Sequence, residues 1–592
     1  MALRSLRLAS SPLVLLALLA GCEGEISTAP AGSLTPGGDP GLPPTSPAMP
    51  TMPGVPGIPG TPTTPTTPTT PPPYDPCATT PEAPVPFVMR RLSNEELGNT
   101  LRALLKTSEP LEAAMPADNL VNDFDNHAGA NTISTSRAQT LQTVIEGLTT
   151  SLFADATRRA QVVGCDLTGA AKATCLQSFL AKFGRRAFRR PLTADELSDL
   201  TAVAATTAGD TDPFSGARLV VSAMLQSPSF LLRPESGATD ASHPGLLKLN
   251  GYERASRLAF LLFRSGPDDA LLDLAANGGL DRDEDLVTVA TTLLADPRAH
   301  AGLQRFTDQW LQLRAVGEVP PDTSVYPAWT PSLGAAMVEQ TRRLVLDLAW
   351  RDGASLLELL TSTRTEVNGE LAALYGLPAP AAGSWQAVTL DPSTTKRQGL
   401  LGQASFLTLT SKPTRISPLH RGLWIRRVLM CSSPPPPPPN VPAFQPAQPG
   451  ETERQAFARH SQGSCAGCHN MMEPVGFGLS SFDGVGRFRT KDSSNAAIDE
   501  SGFMLNPDGT RTAFVGPQAL VNILKDDPQV PRCMTTQLFR YAYSTEERSA
   551  DACLIKTAQD AFARSGHRFP SLVLAMVKSP AFGYRLATQG TP

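Results

Sequence analysis

The pentapeptide Cys465-Ala466-Gly467-Cys468-His469 places the strictest chemical requirement on this chain. Its Cys-x-x-Cys-His spacing is the one by which a haem is attached covalently to a protein. Each thiol can form a thioether to one haem vinyl group, and the histidine that follows is placed to ligate the iron. The sequence therefore predicts one covalent c-type haem, with Cys465 and Cys468 as attachment points and His469 as the proximal ligand.

Other interpretations of the two cysteines stay open at this stage. A Cys-x-x-Cys pair can also form a disulfide, act as a redox dithiol or supply half of a zinc site. The sequence has no second Cys-x-x-Cys and no His-x-His to complete a tetrahedral zinc site. Zinc is therefore disfavoured, and a disulfide or a free dithiol is the main alternative to haem.

The N-terminal segment predicts export. An apolar run over 13–20 follows two arginines and is too short to span a bilayer, which is typical of a signal peptide, here residues 1–21. The run ends in Leu19-Ala20-Gly21-Cys22, which resembles the lipobox of bacterial lipoproteins and predicts a lipid bilayer anchor through Cys22. Glu23 favours the outer membrane, with the protein on the periplasmic or cell-surface side. An ordinary secretory signal with a chance cysteine is the alternative.

The segment that follows the signal peptide differs in composition from the rest of the chain. Residues 22–76 are rich in Pro, Gly and Thr and are predicted to be a disordered tether, because they have too little apolar side chain to repay ordering. The body beyond is too long for one core, so several domains are expected. The net charge of −4 offers no polyanion-binding surface, and nucleic acid is not expected as a partner.

Helical periodicity dominates the body, so the predicted fold class is mainly α, with a small c-type-cytochrome-like segment near the C-terminus. Capping boxes at Ser93–Glu96 and Thr193–Glu196 predict two helix starts. Arg90 and Arg91 are predicted to be solvated, with a carboxylate partner as the alternative. The predicted domains are an N-terminal helical domain over 77–163, a three-helix module over 164–235, a helical domain over 247–378, a segment with helices, a proline strut and the pentapeptide over 396–490, and a second module over 491–592.

The second module is predicted to be related to the first. Seven residue identities over 221–233 recur in the same order and spacing over 573–585, with Ser227-Pro228 matched by Ser579-Pro580. A chance likeness between two helices that each end at a proline is the alternative.

Lipidation of Cys22 and haem attachment at Cys465 and Cys468 would leave six cysteines. Because an exported protein folds in an oxidising compartment, these six are predicted to form disulfides. Nearness in sequence predicts the pairs Cys165–Cys175 and Cys533–Cys553. Cys77 and Cys431 are then left to bond each other or to stay unpaired, because six cysteines allow 15 pairings.

The second axial ligand of the haem is less determined. Met504 and His420 are the leading candidates, His460 is a further histidine, and an open position is the alternative. Methionine ligation would raise the reduction potential. Arg487 is predicted to pair with a haem propionate. Four apolar residues are predicted to form a wall for the haem: Phe477, Leu479, Phe482 and Phe488.

Several stretches occur in a fixed order that resembles one large bacterial family. They are Arg91-Leu92-Ser93-Asn94-Glu95-Glu96, Phe188-Arg189-Arg190-Pro191-Leu192-Thr193, Ser256-Arg257-Leu258-Ala259-Phe260-Leu261-Leu262, Ser417-Pro418-Leu419-His420-Arg421-Gly422, and the pentapeptide with Pro474-x-Gly476-Phe477. The family comprises secreted proteins of planctomycete and myxobacterial type, assembled from five domains of unknown function. Its members are labelled cytochrome c-like or cellulose-binding-domain proteins.

The resemblance implies an exported, haem-bearing surface protein of polysaccharide-degrading bacteria, and no established reaction. This chain has Glu473 where the family usually has Asp, and Ser480 where it often has Glu. These are mild departures at the edge of the predicted site.

Two functions are therefore predicted for this chain. The first is electron transfer by a lipid-anchored haem protein with a redox protein partner; an open sixth position would permit peroxide or oxygen chemistry. The alternative is a non-enzymatic cell-surface scaffold or polysaccharide-binding protein in which Cys465 and Cys468 form a disulfide. The sequence contains no Gly-x-Ser-x-Gly and no His-Glu-x-x-His, so a hydrolase has little support. Whether the chain is an enzyme stays open.

Overall fold

The computed structural model describes residues 75–79, 89–435 and 444–587. The predicted signal peptide, Cys22, nearly all of the predicted tether and residues 436–443 of the proline-rich strut lie outside the described residues. Helices dominate the described chain, as predicted, and its strands are short. Within these ranges no helix is both long enough and apolar enough to cross a membrane.

The N-terminal region is helical. Its elements are α1 (Pro76–Thr79), α2 (Asn94–Leu105), α3 (Thr135–Ala154) and α4 (Ala156–Val163). The predicted capping box opens α2, because Ser93 Oγ accepts from the Glu96 backbone N–H and the Glu96 carboxylate accepts from the Ser93 backbone N–H. The prediction that Arg90 and Arg91 are solvated is wrong, since both are buried.

The first predicted module has three helices followed by a single short turn of helix. Its elements are α5 (Lys172–Phe188), α6 (Ala194–Ala205), α7 (Ser215–Gln226) and α8 (Pro228–Leu231). Arg189 ends α5 in a left-handed conformation, and its guanidinium donates to backbone carbonyls of α8, including that of Phe230 at 3.0 Å. The predicted capping box at Thr193 opens α6. The turn between α5 and α6 is thereby fixed to the end of the module.

The central region contributes Phe263, Phe306 and Trp310 to the main hydrophobic cluster. Its elements are β1 (Ala238–Thr239), β2 (Leu246–Lys248), α9 (Gly251–Phe263), α10 (Asp269–Ala276), α11 (Asp283–Leu294), α12 (Ala299–Trp310), α13 (Pro331–Trp350), α14 (Glu358–Thr361), β3 (Arg364–Val367), α15 (Gly369–Tyr375), β4 (Gln386–Thr389) and α16 (Pro392–Thr395). Phe306 stacks on Trp310 at 5.5 Å between ring centroids, and both are buried. Strands β3 and β4 pair antiparallel, with Thr365 opposite Val388.

Over its described residues, the region around the pentapeptide consists of four short helices followed by one β-hairpin. Its elements are α17 (Ala404–Leu409), α18 (Pro418–Trp424), α19 (Glu453–His460), α20 (Ala466–Phe477), β5 (Ser501–Leu505) and β6 (Arg511–Val515). A π-helical segment, Ile425–Leu429, continues α18. Such widened turns are frequently found at functional sites, and this one contacts α20, the helix with the pentapeptide, through Arg426.

The C-terminal region repeats the order of elements found in the first module. Its elements are α21 (Gly516–Asp526), α22 (Gln529–Tyr543), α23 (Ala552–Arg564), α24 (Phe569–Lys578), α25 (Pro580–Gly583) and β7 (Tyr584–Leu586). Ser579 caps α25 as Ser227 caps α8, each accepting from the backbone N–H two residues on. Strand β7 pairs antiparallel with β2, which joins this module to the central region.

Three disulfides cross-link the body. Cys165 bonds Cys175, as predicted. The predicted Cys533–Cys553 bond is wrong: Cys533 bonds Cys431, and Cys553 bonds Cys77. Helix α1 packs on α23, and the π-helical segment packs on α22, so the partners of both cysteines are set by contacts between elements that are distant in sequence.

Candidate functional site

Helix α20 carries the pentapeptide and packs antiparallel on α18, with their backbones in direct contact. A Cβ atom added to Gly422 would lie 1.9 Å from the Met472 carbonyl oxygen, and one added to Gly476 would lie 1.9 Å from that of Pro418. Only glycine permits such an approach. The position of α20 on the body is therefore fixed by two glycines, one on each helix.

The π-helical segment adds a second constraint on α20. The guanidinium of Arg426 donates to the Met471 carbonyl through Nε and to the Leu505 carbonyl through Nη2, the latter at 3.1 Å. Arg426 is buried. One side chain thus ties α18, the first half of α20 and strand β5 together.

The two cysteines of the pentapeptide are free thiols. Both are partly exposed, and neither is bonded to the other or to any cysteine of the described chain. A Cβ atom on Gly463 or Gly467 would meet nothing within 4 Å. The backbone at these two glycines, which lie within two residues of the thiols, is therefore not packed against other parts of the described chain. The disulfide form of the Cys465–Cys468 pair, one of the open interpretations, is not the form that the structure has.

His469 is held by an acidic side chain one turn further along α20. Its Nδ1 donates to Glu473 Oε1 at 2.8 Å, and the Glu473 side chain is 5% exposed. Burial raises the pKa of the Glu473 carboxyl, while the hydrogen bond from His469 acts in the opposite direction. A carboxylate on one ring nitrogen fixes the orientation of an imidazole and leaves the other nitrogen, Nε2, free for a metal.

The residues present therefore fit a covalent haem. They supply two free thiols at the required spacing and a histidine whose Nδ1 is already paired. Within the described residues, no group of three or more His, Cys, Asp or Glu side chains is arranged to hold a metal ion without a cofactor. A cytochrome-like fold for this segment stays a prediction.

Sequence reasoning did not assign Glu473 a role. The signal was present, because side chains four residues apart on a helix lie on one face and make contact. Glu473 follows His469 at that interval within α20.

The structure places the two leading candidates for the second axial ligand in other contacts. Met504 is 2% exposed and lies in the main hydrophobic cluster. His420 lies on α18 with Nδ1 2.6 Å from Ser417 Oγ. Burial, together with Lys412 and Arg415, lowers the pKa of His420 to about 4.

His460, the further candidate, is the histidine that lies beside His469. The centroids of the two imidazole rings are 5.5 Å apart, with 71° between the ring planes. His460 is the last residue of α19, and only residues 461–465 separate it from α20.

The remaining predicted site residues lie at the surface or in the interior. Arg487 is exposed, and its backbone N–H donates to Asp483 Oδ1 at 2.7 Å. Phe477, Leu479 and Phe482 are buried, and Leu479 and Phe482 belong to the main hydrophobic cluster. Their role as an apolar wall for the haem stays a prediction. Phe488 is 38% exposed.

Five family models match consecutive parts of the chain, and each is described as a protein of unknown function. They cover residues 90–154 (DUF1587), 175–235 (DUF1595), 249–377 (DUF1592), 397–492 (DUF1588) and 510–582 (DUF1585). The model over 397–492, named PSCyt3, contains α18, α20 and the pentapeptide, and its description assigns no cofactor. No match was found among curated proteins or solved structures.

Proposed function

Because the chain belongs to the family of multi-domain proteins built from these five domains of unknown function, we propose that it is an exported lipoprotein with one covalent c-type haem that works in electron transfer. The lipid anchor would be Cys22, in the outer membrane. The partner would be a redox protein that meets the exposed edge of the site.

One observation supports the proposal above the others. The six other cysteines of the described chain are all in disulfides, whereas Cys465 and Cys468 are free. Disulfides form and persist in oxidising compartments. Two neighbouring thiols that do not form a disulfide in such a compartment are available for another covalent modification. Their spacing fits thioether attachment of a haem.

The chain's own residues would have distinct roles. Bound haem supplies a one-electron couple, and the protein sets its position and electrostatics. Cys465 and Cys468 would attach it, and His469 Nε2 would ligate the iron. Glu473 would fix the orientation of the His469 ring through its hydrogen bond with Nδ1. Arg487, exposed nearby in sequence, would pair with a propionate.

The alternative of a polysaccharide-binding scaffold is not favoured by a specific observation. It was predicted with Cys465 and Cys468 as a structural disulfide, and the two sulfur atoms are not bonded.

Covalent attachment is tested with the full-length chain, produced in a bacterial host that matures c-type cytochromes. We expect a haem band that survives denaturing electrophoresis and a reduced visible spectrum of c type. Both should be lost in the double variant Cys465→Ala/Cys468→Ala. The matched control is Cys165→Ala/Cys175→Ala, which removes a disulfide and should retain the haem. A colourless wild-type protein from cells whose own cytochromes mature normally would refute the proposal.

Glu473→Gln is expected to raise the midpoint potential of the haem without reducing the amount attached. The change removes the negative charge that accepts from His469 Nδ1 and so weakens the ligand that stabilises the oxidised iron. The measurement is a spectroelectrochemical titration, with haem content determined on the denatured protein. Glu451→Gln is the control, because the Glu451 carboxylate pairs with Arg459. Equal potentials in wild type and Glu473→Gln would show that Glu473 does not act through His469.

A further inference from the structure

We infer that His460 is the second axial ligand of the haem, so that the ligand pair is His460 and His469. This inference rests on the proposed function and deepens it. It replaces Met504 and His420, which sequence alone favours, by the histidine that the fold places beside the proximal ligand.

The distance between the two rings carries the argument. Imidazole nitrogens lie about 2 Å from a bound transition metal, so two rings on one ion have centroids roughly 6 Å apart. The centroids of His460 and His469 are 5.5 Å apart. A shift of under about 1 Å in a partly exposed side chain would bring the pair to the separation that a shared ion requires.

His460 is also positioned by its own neighbours. Phe444 packs edge-on against the His460 ring at 5.8 Å between centroids and contacts Phe457 at 4.8 Å. Phe457 lies three residues before His460 on α19, and the Arg415 guanidinium covers Phe444 at 3.9 Å. This aromatic contact restricts the ring on the surface of α19, which lowers the entropic cost of holding it as a ligand.

His420 is displaced from His469 along the helix pair. The antiparallel packing places Pro418 opposite Gly476 and Gly422 opposite Met472, so His420 is level with Pro474. That position is five residues beyond His469, which is about 7 Å along the axis of α20.

Met504 is held in the interior by its strand. Gly502, two residues earlier on β5, is in contact with the Pro474 carbonyl, to which an added Cβ would approach within 2.1 Å. Met504 is buried among the side chains of the main cluster. Ligation would require it to leave the core, at the cost of a cavity there.

The assignment predicts a low-spin haem with a potential below that of a histidine–methionine cytochrome, because methionine ligation raises the potential. The test is the electron paramagnetic resonance and visible spectrum of the oxidised, full-length holoprotein. Wild type should be six-coordinate and low-spin. His460→Ala should lose that low-spin signal, and added imidazole should restore it. His420→Ala, the matched histidine control on α18, should keep the wild-type spectrum.

The outcomes separate this inference from the proposed function. A wild-type protein without covalent haem on denaturing gels would refute the proposed function. Covalent haem with an unchanged low-spin spectrum in His460→Ala would refute only the axial assignment, as would a high-spin wild type. His460→Met is the second variant, in case alanine prevents maturation. It should retain covalent haem with a raised midpoint potential, and an unchanged potential would overturn the assignment.

Discussion

Gly476→Ala is expected to destabilise the protein by at least about 3 kcal/mol, at the upper end of the cost of overpacking a core. The added methyl group would lie 1.9 Å from the Pro418 carbonyl oxygen. That oxygen belongs to the backbone of α18, so no side-chain rotation can relieve the clash. Helices α18 and α20 would have to separate. The measurement is the free energy of unfolding from chemical denaturation.

The control for this change is Gly467→Ala on the same helix. A Cβ atom at Gly467 meets nothing within 4 Å, and alanine is favoured over glycine inside a helix by about 1 kcal/mol. The control should therefore be neutral or slightly stabilising. Equal stability of Gly476→Ala and wild type would show that the close packing of α18 on α20 is not what holds the pentapeptide in place.

Glu96→Gln is expected to cost about 3–5 kcal/mol of stability, the range for breaking a buried ion pair. Glu96 is fully buried and accepts from Arg90 at 2.8 Å and from Arg264 at 2.9 Å. Glutamine would leave Arg90 buried without its ion-pair partner and would leave Arg264 with Asp125, at 3.5 Å, as its remaining carboxylate. Because Arg264 ends α9, the loss would loosen the contact between the N-terminal helices and the central region. Chemical denaturation followed by circular dichroism measures the change.

The chain contains its own control for this prediction. Arg190, Thr193 and Glu196 repeat the spacing of Arg90, Ser93 and Glu96, but the Arg190 and Glu196 side chains are 37% and 27% exposed. Glu196→Gln should cost no more than about 1 kcal/mol, as solvent-exposed pairs do. Equal losses in the two variants would contradict the role given to burial.

The ion pairs of Glu96 also make the stability of the protein depend on pH. Burial alone would favour the neutral acid, yet Arg90 and Arg264 hold the pKa of Glu96 well below its usual range. A depressed carboxyl pKa contributes stability that is complete above its unfolded value, about 4.3, and is lost as the pH falls below it. Wild type should therefore lose more stability than Glu96→Gln between about pH 5 and pH 3.

Features that depend on residues close in sequence were predictable here. The capping boxes at Ser93 and Thr193 need residues three apart, and the structure has both. The Cys165–Cys175 disulfide closes a short loop and is present. Local hydrogen bonding and short loop closure decide such features, so a sequence window contains the information.

Features that depend on packing between distant elements were not predictable. Cys533 bonds Cys431 because α22 packs on the segment that follows α18, and nothing in the sequence near Cys533 indicates that contact. Arg90 donates to Glu96, which is close in sequence, but the burial of this pair depends on Arg264, which donates to the same carboxylate and lies far along the chain.

The candidate site likewise has features that can be predicted from nearby residues and one that depends on how the chain packs. The pentapeptide and the interval from His469 to Glu473 can be found in the sequence, because each lies within one helical turn or two. The proximity of His460 to His469 depends on how the five residues over 461–465 return the chain from α19 to α20. Sequence distance alone did not rank His460 above Met504 or His420.

The most direct test of the central claim is the mass of the peptide that contains Cys465, Cys468 and His469. The wild-type holoprotein is treated with an alkylating reagent without reduction, digested and analysed by mass spectrometry. The account predicts a peptide that carries one haem, with neither cysteine alkylated. A peptide with both cysteines alkylated, or with the two joined as a disulfide, would contradict it.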